Sequence, residues 1–539
     1  MPASGCLESK ARHAFRFISS PPKVPVPGDH TTTPGLETGK VPAERRRTLF
    51  RNSVELAPTP RSVSAAAPLG AAEVFRLPRP RIVHPAPLLA ALGLLVLVNI
   101  ARIGEGGWVF RTGKVEPHGV LGSFVALARG NWSPGLLKFA AVVAGLVLVV
   151  AVAYARERWT ARRALLVTFL VTALLVVPGV LLQAGLRDST APWFYTNDST
   201  YQIEVAGDLV LDGHTPYGHD YRGTGVDRFY SRDGSPRPGH KALDHFAYFP
   251  GTAITSAGWR LLPAPFDDYR FFVLLATLGL IPAALSFAGP LTVRLAVGAA
   301  LAANPLVVQA AWFGTADAPS LFFLVLSFGL ASRSRFVWAA ACLAAAVLLK
   351  QFALVAIPFF VAMLITSRGG RQSFGRAAGA FAGVLIAGAL PFLIASPGAL
   401  WSDTIGYGTG DYPIIGYGLA SLLVRLDVLR NRNAAYPFGL LALIVWLPVT
   451  LWLVRSQLRS RQPWVGAAGF AASIFVLLFL GRVFQTSYLV WPLTGMAIAA
   501  VLAAAQMASG TSTTNVEPRP GSESTEMRPF MRSTSSLLM

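Results

Sequence analysis

Residues 135–185 read GLLKFAAVVAGLVLVVAVAYARERWTARRALLVTFLVTALLVVPGVLLQAG. The stretch holds two apolar runs, 135–154 and 164–185, each close to the roughly 20 residues that a helix needs to cross about 30 Å of hydrocarbon. Between the runs lie Arg156, Arg158, Arg162 and Arg163. Loops rich in Lys and Arg stay on the cytoplasmic side of a membrane. The stretch therefore predicts a hairpin of two transmembrane helices joined by a cytoplasmic loop.

The whole chain has the composition of a membrane protein. Of its 539 residues, 53% are apolar and 14% are charged, and the mean hydropathy is +0.49. A soluble domain carries about 25% charged residues. This chain has too few charged side chains to cover its apolar ones, so the soluble globular class is excluded.

The basic net charge does not indicate a nucleic-acid-binding protein. The chain carries 47 Lys and Arg against 27 Asp and Glu, a formal charge of +20, but the basic residues cluster between apolar runs, as in cytoplasmic loops. The two cysteines, Cys6 and Cys342, are far apart, so neither a disulfide framework nor a thiolate metal site is expected.

Apolar runs recur along the chain and predict an all-α, polytopic integral membrane protein with about 12 transmembrane helices. The predicted spans lie near 86–102, 135–154, 164–185, 269–288, 293–312, 317–331, 336–349, 352–366, 377–395, 437–454, 464–480 and 487–505. The pair flanking Lys350 is short, so it represents either two partial spans or one kinked helix.

Basic clusters set the predicted orientation. They are Arg76, Arg79 and Arg81, the four arginines quoted above, Arg368, Arg371 and Arg376, and Arg455, Arg459 and Arg461. With all of them in the cytoplasm, both termini lie inside and the long loop 186–268 lies outside the cell membrane. This topology requires that residues 396–436 stay outside, with the apolar stretch 414–424 at the surface or re-entering.

The composition changes along the chain predict four regions. Residues 1–84 are basic and rich in Pro and predict a disordered cytoplasmic tail. Residues 85–155 predict an N-terminal transmembrane hairpin, 156–508 the main transmembrane domain with the loop 186–268, and 509–539 a second disordered tail. The first region lacks the features of a cleaved secretory signal, so the first span is expected to anchor the chain.

The outer loop 186–268 concentrates the residues suited to chemistry. Its 83 residues contain 11 of the 27 acids, 4 of the 8 His and 13 aromatic residues. Long polar loops between short-looped spans usually carry function, although a merely solvated loop would share this composition. The loop is therefore the first place to look for a site.

A short amphipathic helix is predicted within this loop, flat on the outer membrane surface. Ser199 and Gln202 have capping-box spacing, Ile203 begins a helical apolar repeat, and Gly213 ends it. Asp198 lies at the helix start, where the positive end of the helix dipole favours a carboxylate. From spacing alone, Asp198 as a simple cap and Asp198 as a catalytic group are equally supported.

Other candidates lie at span boundaries. His245 opens an aromatic and proline segment, and Asp317 begins a helix, where a plain cap is the simpler interpretation. Lys350 lies between two apolar runs and Arg482 at an outer boundary. Ionisable residues inside membranes are often functional, and snorkelling to the interface is the alternative for both cations.

The order of these motifs resembles the GT-C superfamily of membrane glycosyltransferases, especially bacterial polyprenyl-phosphate-mannose-dependent α-mannosyltransferases. The resemblance covers residues 164–505 and rests on Asn197-Asp198 to Leu209, Gly213-x-x-Pro216-Tyr217, Tyr248-Phe-Pro250, Gly314 to Asp317, Leu349-Lys350-Gln351 to Pro358, and Arg482. Two features depart from it. The acidic loop follows the third span instead of the first, and a lone Asp198 replaces the acidic pair of some relatives.

The resemblance implies a polyprenyl-phosphate-linked sugar donor and transfer to a hydroxyl of a glycolipid or glycan on the extracytoplasmic face, with inversion at the anomeric carbon. It implies Asp198 as the general base, since a positioned carboxylate accepting the hydroxyl proton contributes typically 10² to 10⁴-fold. The implied phosphate-binding residues are Arg482, Lys350 and His245, and the implied sugar or acceptor pocket contains Tyr217, Tyr248 and Asp317. Mannose is favoured by the resemblance alone.

No cofactor is expected. Some GT-C members use a divalent metal, and the loop offers suitable side chains at Asp208, Asp212, His214, His219 and Asp220, but their spacing matches no particular ligand scheme. The expected partners are therefore the lipid-linked donor, the acceptor and the bilayer, with no nucleic acid.

Two other functions compete with the enzyme. A secondary transporter is compatible with about 12 spans, but no internal repeat is apparent and the acids lie outside the predicted spans. A polymerase or ligase of lipid-linked oligosaccharides would share the outer-face chemistry, but would be expected to carry a larger loop late in the chain. The glycosyltransferase is the preferred prediction.

Overall fold

A computed structural model describes residues 84–103, 116–127, 133–155, 159–190, 196–230, 240–367 and 369–510. The predicted tails, apart from His84 and residues 509–510, lie outside these residues. So do Arg76, Arg79, Arg81, Arg156, Arg158 and Arg368 of the basic clusters. The described residues belong to one compact unit, Leu69–Met539.

The described chain is mostly helical, which confirms the predicted all-α class. The helices are α1 Ala86–Arg102, α2 Gly122–Leu127, α3 Ser133–Ala153, α4 Ala161–Asp188, α5 Asp198–Leu211, α6 Pro250–Arg260, α7 Tyr269–Leu285, α8 Leu291–Ala303, α9 Pro305–Phe313, α10 Asp317–Ala331, α11 Phe336–Leu349, α12 Ile357–Thr366, α13 Gly370–Ala395, α14 Pro397–Trp401, α15 Leu419–Arg425, α16 Phe438–Leu441, α17 Leu447–Ser460, α18 Pro463–Leu480 and α19 Val490–Gly510.

Shorter elements connect these helices. They are the 3₁₀ helices Val226–Tyr230, Lys241–Leu243, Gln351–Ala356 and Thr486–Leu489, the π-helical segments Ser402–Asp411 and Ala442–Trp446, and the two-residue strands β1 Ile415–Gly416 and β2 Val483–Phe484. The strands pair in parallel, with Ile415 opposite Val483 and Gly416 opposite Phe484. This pairing joins the segment after α14 to the segment before α19.

Six helical stretches of the described chain are long and apolar enough to cross a membrane. They are Gly135–Ala153, Ala161–Asp188, Gly370–Ala395, Phe438–Ser460, Pro463–Leu480 and Thr486–Ala508. A seventh arises if the bent pair α8 and α9 is one span, and five further apolar helices have 10–17 residues. Each predicted span coincides with one of these stretches. The helical membrane protein is therefore supported, and the number twelve stays a prediction.

One predicted span is interrupted, and the chain also breaks between two neighbouring predicted spans. The span at 293–312 bends by 47° between α8 and α9, because Asn304 caps a new helix by accepting from Val307 N at 3.1 Å and Pro305 takes its first position. Between α11 and α12 the chain breaks at Lys350, whose backbone is extended. A single straight helix over 293–312 is therefore wrong, and the two short spans flanking Lys350 are separate helices.

The N-terminal hairpin packs on the rest of the chain. Helix α3 packs against α4, and α1 packs against α8. The side-chain amide of Asn99 on α1 donates to the carbonyl of Ala303 on α8 at 2.8 Å. Inside a membrane such interhelical hydrogen bonds between polar side chains and backbone help to hold helices together.

Within the outer loop, α5 lies where the amphipathic helix was predicted, and its buried face includes Ile203 and Ala206. It packs against α6 at a close approach, because a Cβ added to Gly207 would lie 2.5 Å from Ser256 Oγ and 2.8 Å from Ala257 N. A residue larger than glycine would push the two helices apart. The close approach at Gly207 thereby fixes the distance between α5 and α6.

The predicted capping box of α5 is wrong. Asn197 is the N-cap, and its Oδ1 accepts from Thr200 N at 2.7 Å. Gln202 instead donates from Nε2 to the carbonyl of His245 at 2.9 Å. Gln202 therefore anchors the segment that carries His245, which brings a second predicted site residue next to α5.

Candidate functional site

A polar cavity lies where the start of α5 meets the starts of α10 and of the 3₁₀ helix after Lys350. Its enclosed volume is about 160 Å³, and it opens to solvent on one side. Its lining comprises Asp198, Ser199, Gln202, Tyr230, Ala242, His245, Ala247, Tyr248, Thr315, Ala316, Asp317, Lys350, Tyr407, Tyr412, Gln485, Ser487 and Tyr488. Five of the seven predicted site residues are therefore brought together.

The carboxylate of Asp198 reaches this cavity from the first turn of α5. Its Oδ1 accepts from Ser199 N at 2.8 Å, and its Oδ2 accepts from the hydroxyl of Tyr230 at 2.9 Å. The ring of Tyr230 stacks on His240, with centroids 3.9 Å apart. These contacts orient the carboxylate, and each oxygen retains a lone pair for a further hydrogen bond.

The start of α5 is docked on the end of α9. The amide of Asn197 donates to the carbonyl of Phe313 at 2.9 Å, and the hydroxyl of Thr200 donates to the carbonyl of Gly314 at 2.6 Å. Gly314 has φ +77°, and a Cβ there would lie 2.4 Å from Cγ of Arg270. Only glycine combines this left-handed backbone with so close an approach, so Gly314 helps to fix the place of the helix start that carries Asp198.

A buried ion pair forms the second part of the cavity. Nζ of Lys350 lies 3.5 Å from Oδ1 of Asp317 and 4.8 Å from the ring centroid of Tyr248. Asp317 also accepts from Nε1 of Trp491 at 2.9 Å. Lys350 therefore points into the cavity and is not a snorkelling side chain, and it lies between a carboxylate and an aromatic face.

A histidine and a buried carboxylate form the third part. Nδ1 of His245 lies 2.9 Å from Oδ1 of Asp403, and the ring of His245 stacks on Tyr407 with centroids 4.5 Å apart. Asp403 is 1% exposed and lies in the π-helical segment after α14. The segment 396–436 thus contributes directly to the site, through Tyr407 and Tyr412.

Tyrosines supply much of the remaining wall. Burial raises the pKa values of three tyrosines, Tyr230, Tyr407 and Tyr412, well above the ordinary value, and the negative charge of Asp198 raises them further. These phenols therefore stay protonated and act as hydrogen-bond donors. The hydroxyl of Tyr407 is buried and has no hydrogen-bond partner within the part of the chain that the structure describes, which is uncommon for a buried polar group.

Two predicted site residues do not line the cavity. Tyr217 is buried behind it, and its hydroxyl donates to the carbonyl of Tyr248 at 2.8 Å. Arg482 is buried beside it, where Nε donates to the carbonyl of Tyr412 at 2.6 Å and Nη1 to that of Ala434 at 3.2 Å. Both residues position parts of the wall.

Sequence reasoning missed Asp403, Tyr407, Tyr412, Gln485, Ser487 and Tyr488. The signal available for three of them was the acid and aromatic content of the stretch 403–412, which reads DTIGYGTGDY. That stretch was assigned to the outside without a role. The remaining three precede α19, where only Arg482 stood out as a charged residue.

Two of the alternative metal ligands of the loop form ion pairs with arginines. Asp208 pairs with Arg260 at 2.9 Å and Asp220 with Arg222 at 2.8 Å. Among the described residues no group of three or more His, Cys, Asp or Glu is placed to hold a metal ion.

A buried charge cluster supports the site from the side of α4 and α7. Arg187 donates to Glu204 at 2.5 and 2.9 Å and to Asp268 at 3.1 Å, and Arg270 donates to Asp268 at 2.9 Å. Burial raises the pKa of Asp268, but the charges of Arg270 and Arg187 outweigh it and hold that pKa well below the usual value. The cluster ties α5 to the ends of two apolar helices.

Comparison with protein-family models, curated proteins and solved structures finds no match to this chain.

Proposed function

We propose that the protein is a membrane glycosyltransferase. It transfers a sugar, with mannose as the first candidate, from a polyprenyl-phosphate donor to a hydroxyl of a glycolipid or glycan on the extracytoplasmic face of the cell membrane. The observation that carries the proposal is one cavity lined by a carboxylate, Asp198, and by two side chains able to carry positive charge, Lys350 and His245. Transfer from a phosphate-linked donor needs both kinds of group.

In this proposal Asp198 accepts the proton of the acceptor hydroxyl while the hydroxyl oxygen attacks the anomeric carbon. The bond from that carbon to the phosphate oxygen breaks, and its electron pair leaves with the phosphate. The hydrogen bonds from Tyr230 and from Ser199 N hold the carboxylate in one orientation. General base catalysis depends on such positioning.

Lys350 and His245 would meet the negative charge that develops on the departing phosphate. Arg482 was predicted for this role, but it is occupied by two backbone carbonyls. We propose that it acts through Tyr412, whose carbonyl it holds. Both termini are proposed to lie in the cytoplasm, with the acceptor approaching from outside.

The sugar is proposed to bind among the tyrosine hydroxyls. One face of Tyr248 is occupied by Lys350 and one face of Tyr407 by His245, so the sugar cannot stack on those two ring faces. Tyr217 contributes indirectly by holding the carbonyl of Tyr248. Asp317 is proposed to contribute indirectly as well, by pairing with Lys350 and so holding its ammonium group in the cavity.

The test is transfer of radiolabelled sugar from polyprenyl-phosphate-mannose by the purified protein in detergent, for the wild type, Lys350→Gln and Lys350→Arg. Lys241→Gln is the matched control, because Lys241 forms an exposed pair with Asp411. We expect Lys350→Gln to weaken donor use, Lys350→Arg to restore part of it, and Lys241→Gln to behave as the wild type. Solute uptake into vesicles that collapses with an uncoupler, without sugar transfer from a panel of lipid-linked donors, would favour the transporter instead.

A further inference from the structure

Asp403 joins three segments of the site. Its Oδ2 accepts from Gly218 N at 2.8 Å and from Phe246 N at 3.3 Å, and its Oδ1 faces Nδ1 of His245 at 2.9 Å. Gly218 and Phe246 belong to the outer loop, whereas Asp403 follows α14. A carboxylate that is 1% exposed is costly unless it is hydrogen-bonded, and these contacts supply that compensation.

We infer that Asp403 is a positioning residue that holds His245 so that its Nε2–H binds the phosphate of the sugar donor. The inference rests on the proposed function and adds a residue that the motif pattern did not include.

The geometry fixes the imidazole in two ways. Nδ1 of His245 donates a hydrogen bond to the carboxylate of Asp403, and this bond sets the rotation of the ring about its bond to Cβ. Tyr407 stacks on the ring at an interplanar angle of 27°, and this contact sets the plane of the ring. The ring nitrogen that remains for a ligand is Nε2, and His245 lines the cavity. In histidines that bind a ligand through one ring nitrogen, the hydrogen bond made by the other ring nitrogen commonly sets the tautomer and the orientation of the ring.

The charge of the cavity explains why this histidine matters. Among the described residues that line it, Asp198 and Asp317 are carboxylates, and Lys350 and His245 are the side chains able to carry positive charge. Lys350 already faces Asp317 at 3.5 Å. A phosphate entering this cavity therefore needs a second partner besides Lys350, and His245, with the carboxylate of Asp403 behind it at 2.9 Å, has the arrangement of catalytic carboxylate–histidine pairs.

Asp403→Asn isolates this role. The asparagine Oδ1 can take the place of the carboxylate oxygen that accepts from Gly218 N and Phe246 N, while its amide faces His245. The contacts between segments are kept, but the negative charge behind the ring is removed. Because charge-assisted hydrogen bonds are roughly twice as strong as neutral ones, we expect donor affinity to fall about five- to tenfold, with a smaller effect on kcat.

A double-mutant cycle separates positioning from structural support. His245→Gln places a neutral amide donor near the position of Nε2, and that donor does not depend on a charge behind it. Asp403→Asn should therefore weaken binding of the phosphate-linked sugar in the wild-type background and have no further effect on that binding in the His245→Gln background. Asp411→Asn is the control, because Asp411 lies in the same segment but pairs with the exposed Lys241, and we expect it to leave donor affinity unchanged.

The readouts are the Kd of polyprenyl-phosphate-mannose for the purified protein and the rate of transfer, with the thermal unfolding temperature of each variant as a check on folding. An equal loss from Asp403→Asn in both backgrounds, or no loss in the wild-type background, would overturn the inference and leave the proposed function standing. A wild-type protein that neither binds nor uses phosphate-linked sugars would overturn both.

Discussion

The buried charge cluster beside the site makes a quantitative prediction for Glu204→Gln. The cluster contains two guanidinium groups, from Arg187 and Arg270, and two carboxylates, from Glu204 and Asp268, and Glu204 is 3% exposed. Gln retains the contact that Glu204 Oε1 makes with Tyr269 N at 3.0 Å, but it removes one negative charge and leaves the cluster with an excess of positive charge. Removing one partner of a buried ion pair costs about 3–5 kcal/mol.

Since one hydrogen bond is retained, we expect the lower end of this range, about 3 kcal/mol. The assay is the free energy of unfolding of the purified protein in a titration of mixed micelles with a denaturing detergent. Asp208→Asn is the matched control, because Asp208 lies on the same helix α5 and pairs with Arg260, but its side chain is 47% exposed.

An exposed pair contributes about 0–1 kcal/mol, so the control should remain close to the wild type. The reasoning is refuted if both variants lower the free energy of unfolding by the same small amount, because burial would then make no difference to the cost of the lost charge.

Three further predictions concern acid, a hydroxyl and an arginine. The neighbouring guanidinium groups hold the pKa of Asp268 low in the folded protein. The stability that its carboxylate contributes is therefore present above the ordinary Asp pKa of about 3.9 and is lost as the pH falls towards the folded value. Unfolding measured against pH should show stability decreasing below about pH 4, and a flat profile there would contradict this. Tyr407→Phe removes a buried hydroxyl without a protein partner among the described residues, so we expect turnover to fall about tenfold, the equivalent of one hydrogen bond of roughly 1.4 kcal/mol, with unchanged stability. The kinetics and the unfolding temperature of the purified variant measure the two effects. Normal kinetics would show that the hydroxyl does not contact the substrate. Arg482→Ala removes the donor to the carbonyl of Tyr412, so we expect lower stability and lower kcat together, measured by unfolding and transfer; a rise in donor KM alone would instead support direct phosphate binding.

Much of the helical framework follows from the sequence. The helices α10 and α11 have the predicted bounds 317–331 and 336–349, because each apolar run is bordered by residues that start or stop helices. The break at Asn304–Pro305 was harder to foresee, since the apolar character continues through it. The bend at this point is set by the local helix cap. A cap changes the hydropathy of the run very little, so the apolar pattern does not reveal the bend.

The site was predictable only where one residue differs from its neighbours. Asp198 and Lys350 stand out as charges beside apolar runs, and both line the cavity. Asp403 does not stand out, because its role depends on His245, which lies 158 positions away in the chain. Arg482 also stands out as a charge, but its role was not predictable, because its partners are backbone carbonyls, which no side-chain pattern reveals.

The most direct test of the proposed function is the rate of sugar transfer from polyprenyl-phosphate-mannose by the wild type and by Asp198→Asn, with Asp212→Asn as the control at the exposed end of the same helix. The account predicts that the wild type and the control transfer the sugar, and that Asp198→Asn loses at least about 100-fold in kcat while it remains folded and binds the donor. Turnover of Asp198→Asn within a few-fold of the wild type would contradict it.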